Sequence, residues 1–303
     1  MSRISRRNKL LLLKFLSLFS VVRGYNILII VLAQYLASIF ILSPDIPLRD
    51  VLFDVNLFSI VLASSLVIAG GYIINSFYDS EKDLINRPHK TRLDHMVSQN
   101  KILTLYFILN FLAVVVASSV SFFAVLFFSG YIFGIWFYSH KLKKILFLGN
   151  LTSASLALIP FFAIFIYYRN FDKVIFVHAT FLGLIIIMRE LIKDLENIKG
   201  DVALGYKNIP IVYGERVTKF AITFLIILTI LPTYLLVTNF DVGLMRYYFY
   251  GSFFLLLIFS YWLWWSRAKM HYVLLHNILK FILVLGVFSI LLIDTDLVLK
   301  RIL

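Results

Sequence analysis

The stretch VLASSLVIAGGYIINSFYDSEKDLINRP, Val61 to Pro88, joins an apolar segment directly to a polar one. Leu, Val, Ile and Gly fill most of its first half, whereas its second half holds three carboxylates and two asparagines. Ionisable groups at the edge of a bilayer are costly, and in membrane-spanning proteins they usually serve a function. This junction therefore predicts a membrane-spanning helix that ends at a functional site.

The composition of the whole chain is that of an integral membrane protein. Of its 303 residues, 61% are hydrophobic and 17% are aromatic, whereas soluble domains contain about 45 to 50% apolar residues. The absence of cysteine excludes disulfides, thiolate metal sites and a cysteine nucleophile. The net charge of +13 argues weakly for a nucleic-acid partner, because the basic residues lie between apolar segments, where orientation in a membrane explains them.

Nine apolar windows are each long enough to cross about 30 Å of hydrocarbon as an α-helix. They lie at residues 26–43, 56–78, 102–118, 120–138, 148–168, 174–192, 217–238, 246–265 and 274–293. Most of the 29 Lys and Arg residues precede the first window or follow the second, fourth, sixth and eighth. By the positive-inside rule these segments are cytoplasmic, so the N-terminus is predicted inside and the C-terminus outside. We expect a multi-pass protein of the plasma membrane of a prokaryote.

The N-terminal segment, residues 1–25, is predicted to be an interfacial amphipathic helix that the mature protein retains. Arg3, Arg7 and Lys14 fall on one side of such a helix, and leucines fall on the other. Lys14 interrupts the apolar run that a cleaved signal peptide would need. Residues 26–303 are then predicted to form a single domain.

Asn75, Asp79 and Asp83 are spaced by four residues. Because a step of four turns an α-helix by about 400°, the three side chains are predicted to share one face. Carboxylates this close repel each other unless a cation holds them. Oxygen ligands of this kind suit Mg²⁺, which completes its coordination with water and substrate phosphate. The spacing therefore predicts a magnesium site that binds a diphosphate.

A second acidic cluster lies at the end of the sixth window, and its members are Glu190, Asp194, Glu196 and Asp201. Two such clusters beside a bilayer favour a diphosphate with an apolar tail, such as a polyprenyl diphosphate, as the substrate. Metals and nearby cations would stabilise the charge that develops as the allylic C–O bond breaks. The opposing hypothesis is an ion-coupled transporter or lipid-binding membrane protein, which predicts charge deep within the spans. Here the acids gather at the span ends, which favours an enzyme.

These motifs together resemble a known family. NSFYDSEKDLINRP, Asn75 to Pro88, resembles the first aspartate motif of the UbiA family of intramembrane prenyltransferases. RELIKDLENIKGDVALGYKNIPIVYG, Arg189 to Gly214, resembles its second aspartate motif. YSHKLKKILFLGN, Tyr138 to Asn150, and the pair Arg23-x-x-Asn26 are similar to further family segments. The order and spacing of the motifs extend the resemblance over essentially the whole chain.

The resemblance implies an all-α integral membrane fold of nine helices around a central, lipid-open cavity, with cytoplasmic cap loops. It implies Mg²⁺ as cofactor, a polyprenyl diphosphate donor and a lipid-soluble acceptor, all in contact with membrane lipids. The implied catalytic residues are Asp79, Asp83, Asp194 and Asp201. The implied metal ligands are Asn75, Asp79, Asp83, Asp194, Asn197 and Asp201. The predicted substrate-binding residues are Asn75, Arg23, Asn26, Arg87, Lys141, Lys143, Lys193 and Tyr138.

Two positions depart from the family pattern. Asn197 stands where the second motif usually has Asp, and Ser76 stands where the first motif frequently has Asp. The second metal would then depend on Asp194 and Asp201, with Glu190 or Glu196 as a further ligand. An asparagine can still bind a metal through its carbonyl oxygen.

Within the family, RELIKDLE, Arg189 to Glu196, resembles the branch that makes archaeal-type ether lipids. That branch transfers a geranylgeranyl group to the free hydroxyl of geranylgeranylglyceryl phosphate. Arg23, Lys141 and Lys143 could bind a phosphorylated acceptor of this kind or the diphosphate of the donor. The alternative is prenylation of an aromatic acceptor in quinone or haem O biosynthesis, because those branches share the aspartate motifs.

Overall fold

The computed structural model describes residues 16–88 and 97–294, together with Asn8 and Thr91. Within these residues, nine helices are long and apolar enough to cross a membrane. Numbered α1 to α9, they are Gly24–Leu42, Val55–Tyr78, Gln99–Ser118, Phe122–His140, Leu148–Tyr168, Lys173–Ala203, Gly214–Thr238, Gly243–Trp265 and Lys269–Leu292. The nine predicted spans are therefore confirmed. The predicted interfacial helix of residues 1–25 lies mostly outside the described residues.

The sixth helix corrects the predicted boundaries. Its apolar window was predicted to end at residue 192, but α6 continues for a total of 31 residues to Ala203. Leu, Lys and Glu in the added segment favour helix although they are not all apolar. Gly205, with φ +67°, follows the helix end in the left-handed conformation that glycine adopts readily. The second acidic cluster therefore lies on a helix and not in a loop.

Two large hydrophobic cores and a third, smaller cluster around Ile73 hold the described helices together. One core joins α1 to α5, and Ala113 and Ala117 of α3 are fully buried where α3 packs against α2. Such small side chains let helix backbones approach closely in a membrane. The other core joins α6 to α9, with Ile185 and Met188 of α6 buried against this group. Large apolar side chains elsewhere on the helices face outward, where lipid would cover them.

Two polar side chains inside the first core donate hydrogen bonds to backbone carbonyls around a proline within α5. Pro160 has no N–H, so it cannot bond the carbonyl of Leu156 one turn earlier. The Tyr131 hydroxyl of α4 donates to that carbonyl at 3.1 Å. Gln34 of α1 donates to the Pro160 carbonyl at 2.8 Å. These bonds tie α1 and α4 to α5.

A short helix, Ser80–Asn86, follows α2 almost without interruption. Asp79 separates the two with φ −94° and ψ 3°. The hydrogen bonds of helical spacing nevertheless continue, because the Asp79 N–H donates to Asn75 O at 2.9 Å and the Asp83 N–H donates to Asp79 O at 2.8 Å. The short helix packs against α6, which brings the two acidic motifs together. The lipid-open central cavity and the cytoplasmic cap loops stay predictions.

Candidate active site

A polar pocket lies where α2, α4 and α6 end and α5 begins. Its lining residues are Asn75, Asp79, Lys82, Tyr138, Lys143, Ile145, Gly149, Asn150, Glu190, Lys193, Asp194, Asn197, Asp201, Tyr206 and Asn208. Residues 75–82 and 190–201 supply the two acidic sets, which are more than 100 positions apart in the chain. The pocket therefore assembles both predicted motifs into one site.

Asp79 is a carboxylate of the first motif that three side chains contact. Its Oδ1 accepts hydrogen bonds from Lys143 Nζ at 2.7 Å and from the Tyr206 hydroxyl at 3.1 Å. Lys82 Nζ lies 3.4 Å from the same oxygen. Burial raises the pKa of Asp79, but the charges of Lys82 and Lys143 outweigh this and hold the pKa at about 2. Asp79 is therefore a buried carboxylate that stays ionised.

The segment between α4 and α5 places Lys143 against Asp79. Its chain direction depends on Phe147, which has φ 61°, a strained value for a residue with a side chain. Gly149 then passes close to Lys143, since a Cβ at Gly149 would lie 3.0 Å from the Lys143 carbonyl oxygen. Burial lowers the pKa of Lys143 to about 8, because the opposing effect of Asp79 is smaller. The backbone between α4 and α5 therefore places the buried side chain of Lys143 in the pocket.

The second motif presents its carboxylates along α6. Asp194 Oδ2 accepts a hydrogen bond from Asn150 Nδ2 at 2.7 Å, and Asp201 Oδ2 accepts one from Asn208 Nδ2 at 2.9 Å. Asp201 Oδ1 is buried and accepts no hydrogen bond, although Lys82 Nζ is 3.3 Å away. Further along the pocket, Glu190 pairs with Lys193 at 2.9 Å.

The predicted metal ligands are mostly brought together. Asn75, Asp79, Asp194, Asn197 and Asp201 line the pocket, and Asn197 is buried at the position where a carboxylate was expected. One predicted ligand is placed differently, since Asp83 does not line this pocket. Its role as a catalytic residue and metal ligand stays a prediction.

The predicted substrate-binding residues are divided between the pocket and its surroundings. Tyr138, Lys143 and Lys193 line the pocket, whereas the side chain of Lys141 is exposed to solvent. At a separate place, the Arg23 guanidinium lies 4.9 Å from the centre of the Tyr72 ring, and Asn26 Nδ2 donates to the Tyr72 hydroxyl at 3.3 Å. Binding of substrate by Arg23, Asn26 and Lys141 stays a prediction.

Arg87 is paired with a carboxylate of α6 outside the pocket lining. Its Nη2 donates to Glu196 Oε1 at 2.7 Å, and His276 Nδ1 of α9 lies 3.4 Å from Glu196 Oε2. The Glu196 side chain is 5% exposed and that of Arg87 is 33% exposed. This contact indicates that Arg87 ties the first motif to the helix bundle.

Replacement of Arg87 by methionine is expected to lower the free energy of unfolding and to leave the binding of the prenyl diphosphate donor almost unchanged. Glu196 would lose its closest cation, and the free energy of unfolding should fall by about 1 to 2 kcal/mol. Thermal melting of the detergent-purified protein measures this change, and the KM for the prenyl diphosphate should change less than about twofold. Arg49→Met, at an exposed arginine, serves as the control. An unchanged melting temperature with a large increase in KM would instead place Arg87 at the diphosphate.

Four polar pocket residues were not among the predicted site residues: Lys82, Asn150, Tyr206 and Asn208. Asn150 belongs to the YSHKLKKILFLGN segment, and Tyr206 and Asn208 belong to the GYKNIP part of the second motif. Their position in these segments was the sequence feature that could have identified Asn150, Tyr206 and Asn208 as site residues. Their pairing with particular carboxylates depends on tertiary contacts.

The oxygen donors of the pocket fit Mg²⁺. Among the described residues, no group of three acidic or histidine side chains is clustered to hold a metal ion by itself. Mg²⁺ needs less than this, because it uses one or two carboxylates and keeps water or phosphate oxygens as its other ligands. Asp79, Asp194 and Asp201 supply carboxylates, and the buried Asp201 Oδ1 is an oxygen without a hydrogen bond.

Comparison with known proteins gives the same assignment as the motifs. Residues 27–272 match the UbiA prenyltransferase family. A digeranylgeranylglyceryl phosphate synthase of Methanobrevibacter smithii is 27% identical over 69% of this chain and 73% of its own length. One of Thermococcus sibiricus is 33% identical over 57% of this chain and 63% of its own length. The chain thus spans less than two thirds of the second relative.

Solved structures share the fold. A digeranylgeranylglyceryl phosphate synthase structure superposes with a TM-score of 0.67 at 19% identity, covering 91% of this chain and 97% of the other. A UbiA homologue from Archaeoglobus fulgidus, solved with GPP and Mg²⁺, superposes with a TM-score of 0.66 at 13% identity, covering 90% of this chain and 99% of the other. The family match, which covers most of the chain, and the common fold agree with the resemblance of the two aspartate motifs. This chain belongs to the UbiA prenyltransferase family.

Proposed function

We propose that this protein transfers a geranylgeranyl group from geranylgeranyl diphosphate to the free hydroxyl of geranylgeranylglyceryl phosphate, with Mg²⁺ as cofactor. The observation that carries this proposal is the pocket in which carboxylates of both aspartate motifs face three lysines, Lys82, Lys143 and Lys193. The ether-lipid acceptor is supported by the names of the curated relatives.

Different pocket residues would bind the metal ion and the phosphate groups of a diphosphate. Asp79, Asp194 and Asp201, with the amide oxygens of Asn75 and Asn197, would hold Mg²⁺. Bound there, Mg²⁺ would neutralise phosphate charge and stabilise the diphosphate as a leaving group. Lys143 and Lys193 would donate hydrogen bonds to phosphate oxygens, exchanging their present carboxylate partners Asp79 and Glu190.

The proposed reaction exchanges one C–O bond for another and transfers one proton. The allylic C–O bond of the donor breaks, and the electron pair leaves with the diphosphate. The acceptor hydroxyl oxygen then forms an ether bond to the allylic carbon, and its proton passes to the released diphosphate. Fixed positive charge from Lys143 and Lys193 would stabilise the diphosphate as its negative charge increases.

We also propose the placement in the membrane that the loop charges predict. The N-terminus and the polar pocket would face the cytoplasm and the C-terminus would lie outside, in the plasma membrane of a prokaryote. The basic segments follow α2, α4 and α6 in the sequence, and the ends of these three helices line the pocket, which supports one common orientation for them. Residues 26–303 would act as a single domain, since the family match extends over 27–272.

Product formation by the purified protein tests the proposed function. With geranylgeranyl diphosphate, geranylgeranylglyceryl phosphate and Mg²⁺, we expect digeranylgeranylglyceryl phosphate and free diphosphate in equal amounts, detected by mass spectrometry and a phosphate assay. Chelation of Mg²⁺ with EDTA should lower the rate by at least about a hundredfold, and added Mg²⁺ should restore it.

The other hypotheses give different results in the same assay. Prenylation of a quinone precursor or of haem, with no reaction of the glyceryl phosphate, would replace the proposed acceptor with an aromatic one. An absence of diphosphate release with every acceptor would contradict prenyl transfer and favour a transporter or lipid-binding protein.

A further inference from the structure

Lys82 lies between the two acidic motifs. Its Nζ is 3.4 Å from Asp79 Oδ1 and 3.3 Å from Asp201 Oδ1. Its side chain is 12% exposed, and Nζ lies over the Tyr206 ring, 4.5 Å from the ring centre. A single ammonium group therefore bridges one carboxylate of each motif within a largely buried site.

The backbone fixes this position of Lys82. The residue belongs to the short helix Ser80–Asn86, whose last residue is buried against α6. Asn86 Nδ2 donates to Asn197 O at 3.4 Å, and Asn86 Oδ1 accepts from the Gly200 N–H at 3.2 Å. Because Gly200 precedes Asp201, this docking sets the short helix and Lys82 directly beside that carboxylate.

Lys82 faces one carboxylate oxygen of Asp79 and one of Asp201. Asp79 Oδ1 is contacted by Lys82, Lys143 and Tyr206. Asp201 Oδ2 accepts a hydrogen bond from Asn208, whereas Asp201 Oδ1 accepts no hydrogen bond and faces the Lys82 ammonium. A divalent cation that bridged Asp79 Oδ1 and Asp201 Oδ1 would need these same two oxygens, whereas an ion held through Asp194 and the other oxygens of the pocket would not. Lys82 supplies a positive charge there that is part of the chain.

We propose that the Lys82 ammonium takes the place of one divalent cation, so that the diphosphate complex of this protein holds one Mg²⁺ and not two. The inference rests on the proposed function, since it assumes a diphosphate substrate. Asn197 agrees with it, because a neutral amide at this position gives the pocket one negative charge fewer than an aspartate would. Fewer ligand charges and one fixed cation both lower the demand for a second metal.

Metal counting tests this proposal without relying on turnover. The detergent-purified protein is saturated with an unreactive thiolo analogue of geranylgeranyl diphosphate and titrated with Mn²⁺, and bound ions are counted by electron paramagnetic resonance. We expect one Mn²⁺ per chain for the unchanged protein and two for Lys82→Met, which has a similar length and no charge. Lys82→Arg, which keeps the charge, should stay at one. Lys101→Met removes an exposed lysine at the start of α3 and should also stay at one.

Two Mn²⁺ ions in the unchanged protein would overturn the proposal even if the variants failed to fold. One ion in both the unchanged protein and a folded Lys82→Met variant would overturn it as well. Prenyl transfer is measured separately. Normal transfer with the wrong metal counts contradicts only the role of Lys82, whereas the expected counts without transfer contradict only the proposed reaction.

Discussion

Replacement of Asp79 by asparagine is expected to lower the rate of prenyl transfer by about a thousandfold. The change keeps the volume of the side chain and removes its charge. Asp79 Oδ1 is the oxygen that Lys143, Lys82 and Tyr206 share. The variant therefore loses a predicted metal ligand and leaves two largely buried lysines without their common anion, which is costly in itself.

The matched control for this variant is Asp172→Asn. Asp172 is exposed and precedes α6, at the opposite end of the helix that carries Asp194 and Asp201. Product formation should be unchanged in the control and reduced in Asp79→Asn, with the melting temperature of both variants measured to detect misfolding. A folded Asp79→Asn protein with more than a tenth of normal activity would contradict the assigned role of Asp79.

Replacement of Gly200 by alanine should lower activity by about a hundredfold, because the two acidic motifs would no longer meet in register. A Cβ at Gly200 would lie 2.4 Å from Asn86 Nδ2 and 2.8 Å from Asn86 Cγ. Asn86 is buried and bonded both to Asn197 and to Gly200 itself, so it cannot move aside without breaking the contact between the short helix and α6.

The same helix supplies a control for Gly200→Ala. A Cβ at Gly183 would make ordinary contact with Leu158 at 3.6 Å, so Gly183→Ala should retain full activity. In a chain that already carries Asn86→Ala, the collision is absent, and Gly200→Ala should then cause little further loss. If the two losses instead multiplied, a cause other than the contact with Asn86 would be required.

The spans and the site were predictable from the sequence to different degrees. Apolar length identified nine helices because crossing hydrocarbon requires about 20 apolar residues. The same criterion ended the sixth helix at residue 192, since it measures the thickness of the apolar layer and not the length of the helix. The segment from Lys193 to Ala203 is polar yet helical, and no Pro interrupts it.

The acidic residues of the site were predictable, but their partners were not. The spacing of Asn75 and Asp79 indicated one helical face, and both residues line the pocket. The neighbouring Lys82 reaches Asp201 across 119 positions of the chain, a contact that local spacing cannot reveal. Arg87 was predicted at a phosphate and is paired with Glu196, because the docking of the short helix turns it toward α6.

The length of α6 has a consequence for how substrates arrive. Its 31 residues extend for about 46 Å, whereas the hydrocarbon layer is about 30 Å thick. In the proposed placement in the membrane, the last turns, which carry Asp194 and Asp201, would stand at the depth of phospholipid headgroups. In the proposed reaction, a prenyl diphosphate and a lipid acceptor could reach the protein by lateral diffusion within one leaflet, with their charged heads already at the level of the pocket. The concentration that governs the rate is then the mole fraction of each lipid in that leaflet, and dilution with inert lipid should slow the reaction even when the bulk concentrations are constant.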